Sequence, residues 1–241
     1  GGMNGLGVLF EYNITNNKYV VMHHFTETTG TNPAGHLFKA SDGKIYGTTM
    51  SGGPANHGTL YQFDVTTSVL TTVLKFNGPS TGNQPRGKLV EASTGKIYGI
   101  CEYGGANSHG TIYEFDVNTK TITKAYSFNR PTHGGSPQGG LMKASNGNLY
   151  GITTNGGGNG RGTLFEYIIT SNTLNNLHDF QGTIDGSSGA TTLIQLPNGK
   201  LYGSTQYGGN SNKGVVFEYD ITLDTLAPKV SLGSTSIGYY P

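Results

Sequence analysis

The most constraining feature of this sequence is a short stretch that returns at an almost fixed interval. Residues 58–64 read Gly-Thr-Leu-Tyr-Gln-Phe-Asp, and closely related stretches occur four more times. The lead glycines are separated by 51, 52, 52 and 52 residues and stand at Gly7, Gly58, Gly110, Gly162 and Gly214. A fixed period of this length is typical of tandem-repeat folds, in which each repeat forms one supersecondary unit.

A second block keeps the same step and divides each repeat into strands. It reads Lys-Ile-Tyr-Gly from Lys44 and returns in closely related form at Lys96, Asn148 and Lys200, each 52 residues apart. Alternating turn and strand signals predict four strands per repeat, which in the second repeat are 35–40, 44–49, 59–65 and 69–76, before a linker at 77–86. Asp-Gly and Asn-Gly turns between the first two strands predict tight hairpins with positive φ at both central positions.

The composition narrows the fold class and the range of partners. Gly supplies 40 of the 241 residues without a three-residue period, which excludes collagen, and 15 Tyr and 10 Phe argue against disorder. A formal net charge of +1 gives no reason to expect nucleic acid as a partner. No apolar run approaches the ~20 residues of a membrane-spanning helix, so no membrane insertion is expected. The single cysteine, Cys101, replaces a threonine of the other repeats and is predicted to be a buried structural thiol.

Neighbouring strand residues are both apolar, as at Ile45 with Tyr46 and at Leu60 with Tyr61. In a sheet with one solvent-exposed face, apolar and polar residues would alternate along each strand. This pattern therefore predicts sheets that are covered on both faces, as stacked propeller blades are. We therefore predict an all-β fold, a β-propeller of four-stranded antiparallel blades of about 52 residues. A linear β-solenoid is the architectural alternative.

The repeats predict a single β-propeller domain over residues 1–241. Its units are 1–34 (partial), 35–86, 87–138, 139–190 and 191–241 (partial), about 4.6 repeats in all. Pro241 matches Pro137 at two periods. Either the chain is a window on a longer array, which we favour, or five blades close imperfectly.

The motifs resemble two known repeat families. A strand that ends in Gly-Gly, followed by a strand with an aromatic and an acidic or amide residue, is similar to the kelch repeat. The closer resemblance is to the GloVer-type tandem repeat of secreted, cell-surface proteins of the Bacteroidota, and it covers essentially the whole chain. The tryptophan expected of kelch repeats in the fourth strand is absent, and Phe25, Phe76, Phe128 and Phe180 close that strand instead. The resemblance implies a propeller and a surface location, and it implies no reaction.

Candidate ligand-binding residues lie on the loops between the second and third strands. The residue before the lead glycine is basic or a histidine in four repeats: His57, His109, Arg161 and Lys213. Rotational repetition would place these four as an exposed arc on one face, where they could hold a carboxylate, a sulfate or an acidic sugar. Tyr103 and Tyr207 are on the same loops and could stack on a sugar ring. The alternative is a set of solvated side chains on loop tips.

A second series consists of one acidic or amide residue per third strand: Glu11, Gln62, Glu114, Glu166 and Glu218. Glycosidases use unlike carboxylates, whereas this series repeats one residue type, so a hydrogen bond to a neighbouring backbone N–H explains it better than catalysis does. The histidines show no metal-ligand spacing, so neither a catalytic residue, a metal nor a cofactor is predicted.

These features predict a non-catalytic, secreted or surface-exposed binding or adhesion module that recognises a glycan or an extracellular protein through loops on one face. Further repeats of a longer chain are a second candidate partner. The alternatives are a glycoside hydrolase or lyase that uses carboxylates near the axis, and a structural spacer in an extracellular array.

Overall fold

The computed structural model describes residues 1–233, and these residues form five antiparallel sheets, one for each repeat. Within this range the only helices are two four-residue segments in linkers, α1 (Gly78–Thr81) and α2 (Arg130–His133). The predicted all-β class is therefore confirmed. The match between Pro137 and Pro241 falls outside the described residues.

The first sheet has two strands, and the later sheets have four or five. The first sheet consists of β1 (Val8–Asn13) and β2 (Lys18–His24). The second consists of β3 (Phe38–Lys39), β4 (Ile45–Thr49), β5 (Thr59–Asp64) and β6 (Val69–Lys75). The third consists of β7 (Asn83–Ser93), β8 (Lys96–Tyr103), β9 (Thr111–Asp116) and β10 (Thr121–Ser127).

The last two sheets repeat the same up-and-down order. The fourth consists of β11 (Gly135–Pro137), β12 (Met142–Lys143), β13 (Leu149–Asn155), β14 (Thr163–Ile168) and β15 (Thr173–Asp179). The fifth consists of β16 (Ile194–Gln195), β17 (Leu201–Ser204), β18 (Val215–Asp220) and β19 (Thr225–Ser231).

The predicted strands of the second repeat are confirmed to within one residue at β4, β5 and β6. The first strand is shorter than predicted, because the backbone before it leaves the ladder to meet the next repeat. In the third repeat the register of β7 against β8 breaks between Arg86 and Val90, and Lys88 there forms a parallel bridge to Gly140 of the following repeat. The start of each first strand therefore belongs to the contact between repeats as much as to its own sheet.

The hairpins between first and second strands differ from the prediction in their backbone. Only the glycine has positive φ, as at Gly43 (81°), whereas Asp42 does not. Ala40 N donates to the Lys44 carbonyl, so the loop holds three residues, a length that needs one left-handed residue at its end. The Asp42 side chain accepts from Lys44 N at 3.1 Å and stabilises the loop.

Successive sheets stack face to face, and each core cluster joins two neighbouring sheets. The phenylalanine that closes a fourth strand packs on the third-strand aromatic residue of the next repeat, with ring centroids 5.0–5.4 Å apart in the pairs Phe25–Tyr61, Phe76–Tyr113, Phe128–Phe165 and Phe180–Phe217. Adjacent residues such as Leu60 and Tyr61 are both buried, as predicted for sheets covered on both faces.

The glycine of each second strand makes room for this packing. A Cβ at Gly151 would stand 2.5 Å from the Phe165 ring, and one at Gly99 would stand equally close to the Tyr113 ring. The recurring Tyr-Gly pair therefore reflects a steric need of each sheet.

Cys101 is buried in the contact between the second and third sheets, which confirms the predicted structural thiol. Its Sγ donates to the Thr81 carbonyl at 3.8 Å. Burial raises the pKa of the Cys101 thiol far above its ordinary value, so it remains protonated near neutral pH.

Candidate functional site

The loops between second and third strands meet the linkers between repeats at one end of the sheets. The carbonyl of the residue before each of the first four lead glycines accepts a hydrogen bond from the next linker. The pairs are Asn32 N to Leu6 O, Gln84 N to His57 O, Ser136 N to His109 O and Ser188 N to Arg161 O, at 2.9–3.0 Å. The expectation that these loops and linkers share one face agrees with this geometry.

The same bond explains why side chains vary at this position. Each donor is a non-glycine residue with φ between 51° and 57°, a left-handed conformation held by this contact. Because this hydrogen bond uses only the backbone of the residue before the lead glycine, the side chain there can be leucine, histidine or arginine without loss of the bond. Variation at this position is thus available for recognition.

The four basic residues occupy equivalent loops with unequal exposure. His57 is half-buried against Gly78 and lines a pocket of about 290 Å³ together with Tyr103 and Ser108. His109 is half-buried beside Gly135. The structure therefore brings His57 and Tyr103 together.

The last two members of the series lie in the next two repeats. Arg161 is exposed and packs over Gly182, whereas Lys213 is half-buried against Gly233. Tyr207 pairs through its backbone with Ser187, and its side chain is 44% exposed. All four side chains lie against a linker glycine, and among them only Arg161 is exposed, so the exposure expected of the whole arc is found at this residue alone.

A larger pocket lies where the first strands of four repeats converge. Its volume is about 410 Å³, and residues exactly one period apart line it: Ala34, Arg86, Gln138 and Ala190. Backbones approach closely here, since a Cβ at Gly87 would stand 2.4 Å from Gly140 N, and Thr192 donates from its hydroxyl to the Gly139 carbonyl. We call this cavity the convergence pocket.

One wall of the convergence pocket carries a buried polar network. The Nε of Arg86 lies 2.7 Å from Oε2 of Glu102, a side chain that is only 5% exposed. The two groups do not align as a hydrogen bond, so their attraction is that of an ion pair. Gln138, from the following repeat, donates from Nε2 to the other Glu102 oxygen at 2.8 Å. The Glu102 carboxylate also raises the pKa of Tyr103 through a hydrogen bond, so the network reaches the loop of that tyrosine.

The repeats carry different side chains at the positions that form this network. The period places Ala34, Arg86, Gln138 and Ala190 at one position, and Met50, Glu102, Thr154 and Gln206 at the other. The adjacent positions are nearly constant, with Gly35, Gly87 and Gly139 beside the first series. A repeated scaffold thus surrounds a pocket whose lining does not repeat.

Arg86, Glu102 and Gln138 were not among the predicted site residues, because none of them recurs at the same position of the other repeats. A signal was nevertheless present in the sequence. At these two positions of the repeat the spacing of 52 residues is kept, but the residue type changes. The pocket also includes His36, Met50, Thr191 and Thr192, which supply both hydrogen-bonding and apolar surface.

The repeated third-strand carboxylates are engaged in structural hydrogen bonds. Tyr98 donates to Glu114, Tyr202 donates to Glu218, and Tyr150 donates to Glu166 at 2.6 Å. The predicted role, one hydrogen bond per repeat, is correct in kind, but the donor is a tyrosine hydroxyl of the second strand and not a backbone N–H. The Tyr202 hydrogen bond, together with Lys200 and Lys229, lowers the pKa of Glu218 to about 2, so this carboxylate is not suited to act as a general acid.

Several histidines join a fourth strand to the linker that follows it. His178 Nε2 lies 2.6 Å from Oδ2 of the buried Asp185. One repeat earlier, the Tyr126 hydroxyl lies 3.1 Å from His133 Nδ1. Burial lowers the pKa of His133, so it stays neutral near pH 7. Within residues 1–233 no three His, Cys, Asp or Glu side chains group together as a metal site would require.

Comparisons with known proteins agree with the repeat structure. The family model of the Gloeobacter/Verrucomicrobia repeat matches residues 1–144 and 126–241, which together cover the whole chain. A search of curated proteins finds no match. No helix within residues 1–233 has the length and apolar character needed to cross a membrane.

Three solved structures share the fold at low sequence identity. The extracellular domain of BT3049 from B. thetaiotaomicron, assigned to the hybrid two-component systems, is 18% identical with a TM-score of 0.64 over 95% of this chain and 26% of its own. The extracellular domain of BT4673 from the same organism, assigned to the one-component systems, is 17% identical with a TM-score of 0.60 over 84% and 24%. TolB from Acinetobacter baumannii is 14% identical with a TM-score of 0.55 over 92% and 48%.

This chain spans about a quarter of the length of the two Bacteroides domains, so the likeness concerns a part of each. At these identities the likeness describes the fold, whereas the family match rests on the sequence itself. Because that match covers all the repeats recognised from their spacing, the chain belongs to the Gloeobacter/Verrucomicrobia repeat family.

Proposed function

We propose that this chain is a single, non-catalytic propeller domain that is secreted or displayed at the cell surface and binds a glycan in the convergence pocket. The observation that carries the proposal is the meeting of equivalent positions from four repeats around one cavity, where two repeats supply alanine and the other two supply arginine and glutamine. A role in packing alone would favour the same residue at each of these positions.

The chemistry of the pocket suits a ligand rich in hydroxyl groups. Arg86 and Gln138 offer donors and are held in place by the buried Glu102 carboxylate, and Thr192 and His36 add further polar groups. Pockets of this size typically combine a few directed polar groups with apolar surface, here from Met50. Since Glu102 offsets the charge of Arg86, the pocket has no strong preference for an anion, and a neutral sugar is accommodated.

His57, His109, Arg161 and Lys213 would extend the site for acidic sugars, with Tyr103 and Tyr207 as stacking surfaces. The support is their position on equivalent loops at the same end as the convergence pocket. The likeness to extracellular domains of Bacteroides supports the proposed location outside the cell. The structural engagement of Glu114, Glu166 and Glu218 supports a binding role over glycoside hydrolysis.

A glycan array probed with the labelled chain tests the proposal. We expect at least one hydroxyl-rich glycan to bind, and Gln138→Ala to weaken that binding by roughly two- to tenfold, because a hydrogen bond is worth about 0.5–1.5 kcal/mol. Lys39→Ala, an exposed change on β3, is the control and should bind as the parent does. For an acidic glycan, Arg161→Ala should also weaken binding.

Three outcomes would contradict the proposal. Binding that is unchanged by Gln138→Ala would move the site away from the pocket. Absence of binding to the array and to cell-wall extract would favour a structural spacer or a protein partner. Release of reducing sugar from a polysaccharide panel, abolished by Glu114→Gln, would establish the enzyme alternative.

A further inference from the structure

The convergence pocket is polar on one side and mostly apolar on the other. The third and fourth repeats contribute its polar side, which consists of Arg86 and Gln138. The second and fifth repeats contribute its apolar side, which consists of Ala34, Met50 and Ala190. Both alanines stand at the repeat position that carries arginine or glutamine on the polar side, so the division is a property of the sequence.

The polar side has one donor group and one acceptor that the protein leaves unused. Arg86 meets the Glu102 carboxylate through Nε, and Gln138 donates to the same carboxylate from Nε2. Because a carboxylate can only accept, the Gln138 amide turns Nε2 toward it and keeps Oε1 on its other side. Neither this oxygen nor the Nη atoms of Arg86 have a hydrogen-bond partner within residues 1–233.

The unused donor and acceptor lie side by side, because Glu102 holds both side chains. Two neighbouring hydroxyl groups of a sugar ring match them, since one hydroxyl accepts from the Arg86 guanidinium and the other donates to Gln138 Oε1. A carboxylate ligand matches less well, because it has no proton for Gln138 and would lie close to the negative charge of Glu102. The polar side is therefore suited to a neutral diol.

Two threonines of the fifth repeat lie in the pocket, but their hydroxyl protons are used inside the protein. Thr192 donates to the Gly139 carbonyl. Thr191 donates to the Ser204 carbonyl at 3.1 Å, and the same hydroxyl accepts from Ser204 N at 3.2 Å. These side chains therefore offer no hydroxyl proton to a ligand.

The apolar side favours a methyl group over a hydroxyl group. A ligand hydroxyl placed against Ala34, Met50 and Ala190 would lose its water without gaining a partner. A methyl group at the same place gains apolar contact as it leaves water. His36, the polar side chain of the second repeat in this pocket, is exposed and can be satisfied by water.

We propose that the convergence pocket selects a 6-deoxyhexose, a sugar ring with a methyl group where other hexoses carry a hydroxymethyl group; this inference rests on the glycan-binding role proposed above. In such a ring the hydroxyls on the second and third carbons lie across the ring from the carbon that bears the methyl group. When this diol meets Arg86 and Gln138, the methyl group reaches the apolar side. The pocket volume of about 410 Å³ is within the range of small-molecule sites.

Two pairs of methyl glycosides test this selection, because the members of each pair differ only in the hydroxyl of the terminal carbon. The pairs are L-fucose with L-galactose and L-rhamnose with L-mannose. Each sugar would be titrated into the isotope-labelled full chain and followed by NMR chemical shifts, including those of the Gln138 side-chain amide. In at least one pair the deoxy sugar should bind more tightly by roughly five- to a hundredfold, because the extra hydroxyl of its partner is buried without a hydrogen bond.

Serine substitutions on the apolar side test the cause of the preference. Ala34→Ser combined with Ala190→Ser should reduce the preference for the deoxy sugar by roughly two- to tenfold, since the new hydroxyls offer the missing partner. Ala34 is exposed, so Ala34→Ser alone serves where the double variant is unstable. Ala55→Ser, at an exposed position between β4 and β5 outside the pocket, is the matched control and should leave the preference unchanged.

The outcomes separate this inference from the proposed function. Equal binding within both pairs, tighter binding of the hydroxylated sugars, or a preference that the serine variants do not change would overturn the selection of deoxy sugars and leave a glycan-binding pocket in place. Binding of other glycans on the array, with none of these four sugars bound, would have the same meaning. Absence of binding to these sugars and to every glycan of the array would contradict the proposed function as well.

Discussion

Replacing Phe165 by alanine is expected to lower the free energy of unfolding by about 3–5 kcal/mol, the usual cost of truncating a fully buried aromatic side chain. Phe165 is fully buried, and its ring contacts Phe128 of the preceding repeat at a centroid distance of 5.2 Å. Its removal would leave a cavity in the contact between the third and fourth sheets. Denaturation in urea, followed by circular dichroism, measures the change.

Phe10→Ala is the matched control, because Phe10 has the same position in its repeat and is 53% exposed. We expect it to cost less than ~1 kcal/mol, as substitutions of exposed side chains usually do. Equal losses for the two variants would contradict the account of sheets stacked in sequence. Both variants replace a phenylalanine at the same position of a repeat. The difference between their stability losses therefore does not depend on the intrinsic strand propensity of phenylalanine.

Replacing Arg86 by methionine is expected to destabilise the fold by about 2–4 kcal/mol, because it leaves the buried Glu102 carboxylate without its cation. Methionine keeps much of the volume of the arginine stem, so the lost charge is the main change. The expected loss of stability is at the low end for a buried ion pair, because the Arg86 side chain is 30% exposed. Thermal and urea unfolding of the purified variant measure the effect.

The charge argument is tested by a double-mutant cycle with Glu102→Gln. In the Glu102→Gln background, Arg86→Met should cost less than ~1 kcal/mol, because no buried charge remains to be compensated. A loss of the same size in both backgrounds would show that Arg86 stabilises the fold by packing rather than by its charge.

The sequence predicted those parts of the fold that each repeat determines by itself. The bounds of β4, β5 and β6 were predicted to within one residue. The prediction used the 52-residue period, the turn glycines and the paired apolar residues. The burial of Leu60 and Tyr61 on opposite faces also followed, because burial on both faces leaves a visible pattern in each strand. The hydrogen bond of Glu166 could be predicted in kind, although its tyrosine partner could not.

The convergence pocket could not be predicted in the same way. It depends on the angle between successive sheets, which is set by packing between repeats and has no signature within one strand. Arg86 and Gln138 also lie where the repeats differ, so a search for recurring residues passes over them. The exposure of the arc also depends on packing between repeats. The sequence predicted which loops carry His57 and His109, but it predicted more exposure for these side chains than they have.

The arrangement of the repeats around a common axis is tested most directly by one distance. Nitroxide labels would be attached at Ala34→Cys and Ala190→Cys, in a Cys101→Thr background that matches the other repeats, and measured by double electron–electron resonance. Both positions line the convergence pocket although they are three periods apart. We predict a separation below about 20 Å, whereas a linear stack with sheets ~10 Å apart would separate them by roughly 30 Å or more and would contradict the account.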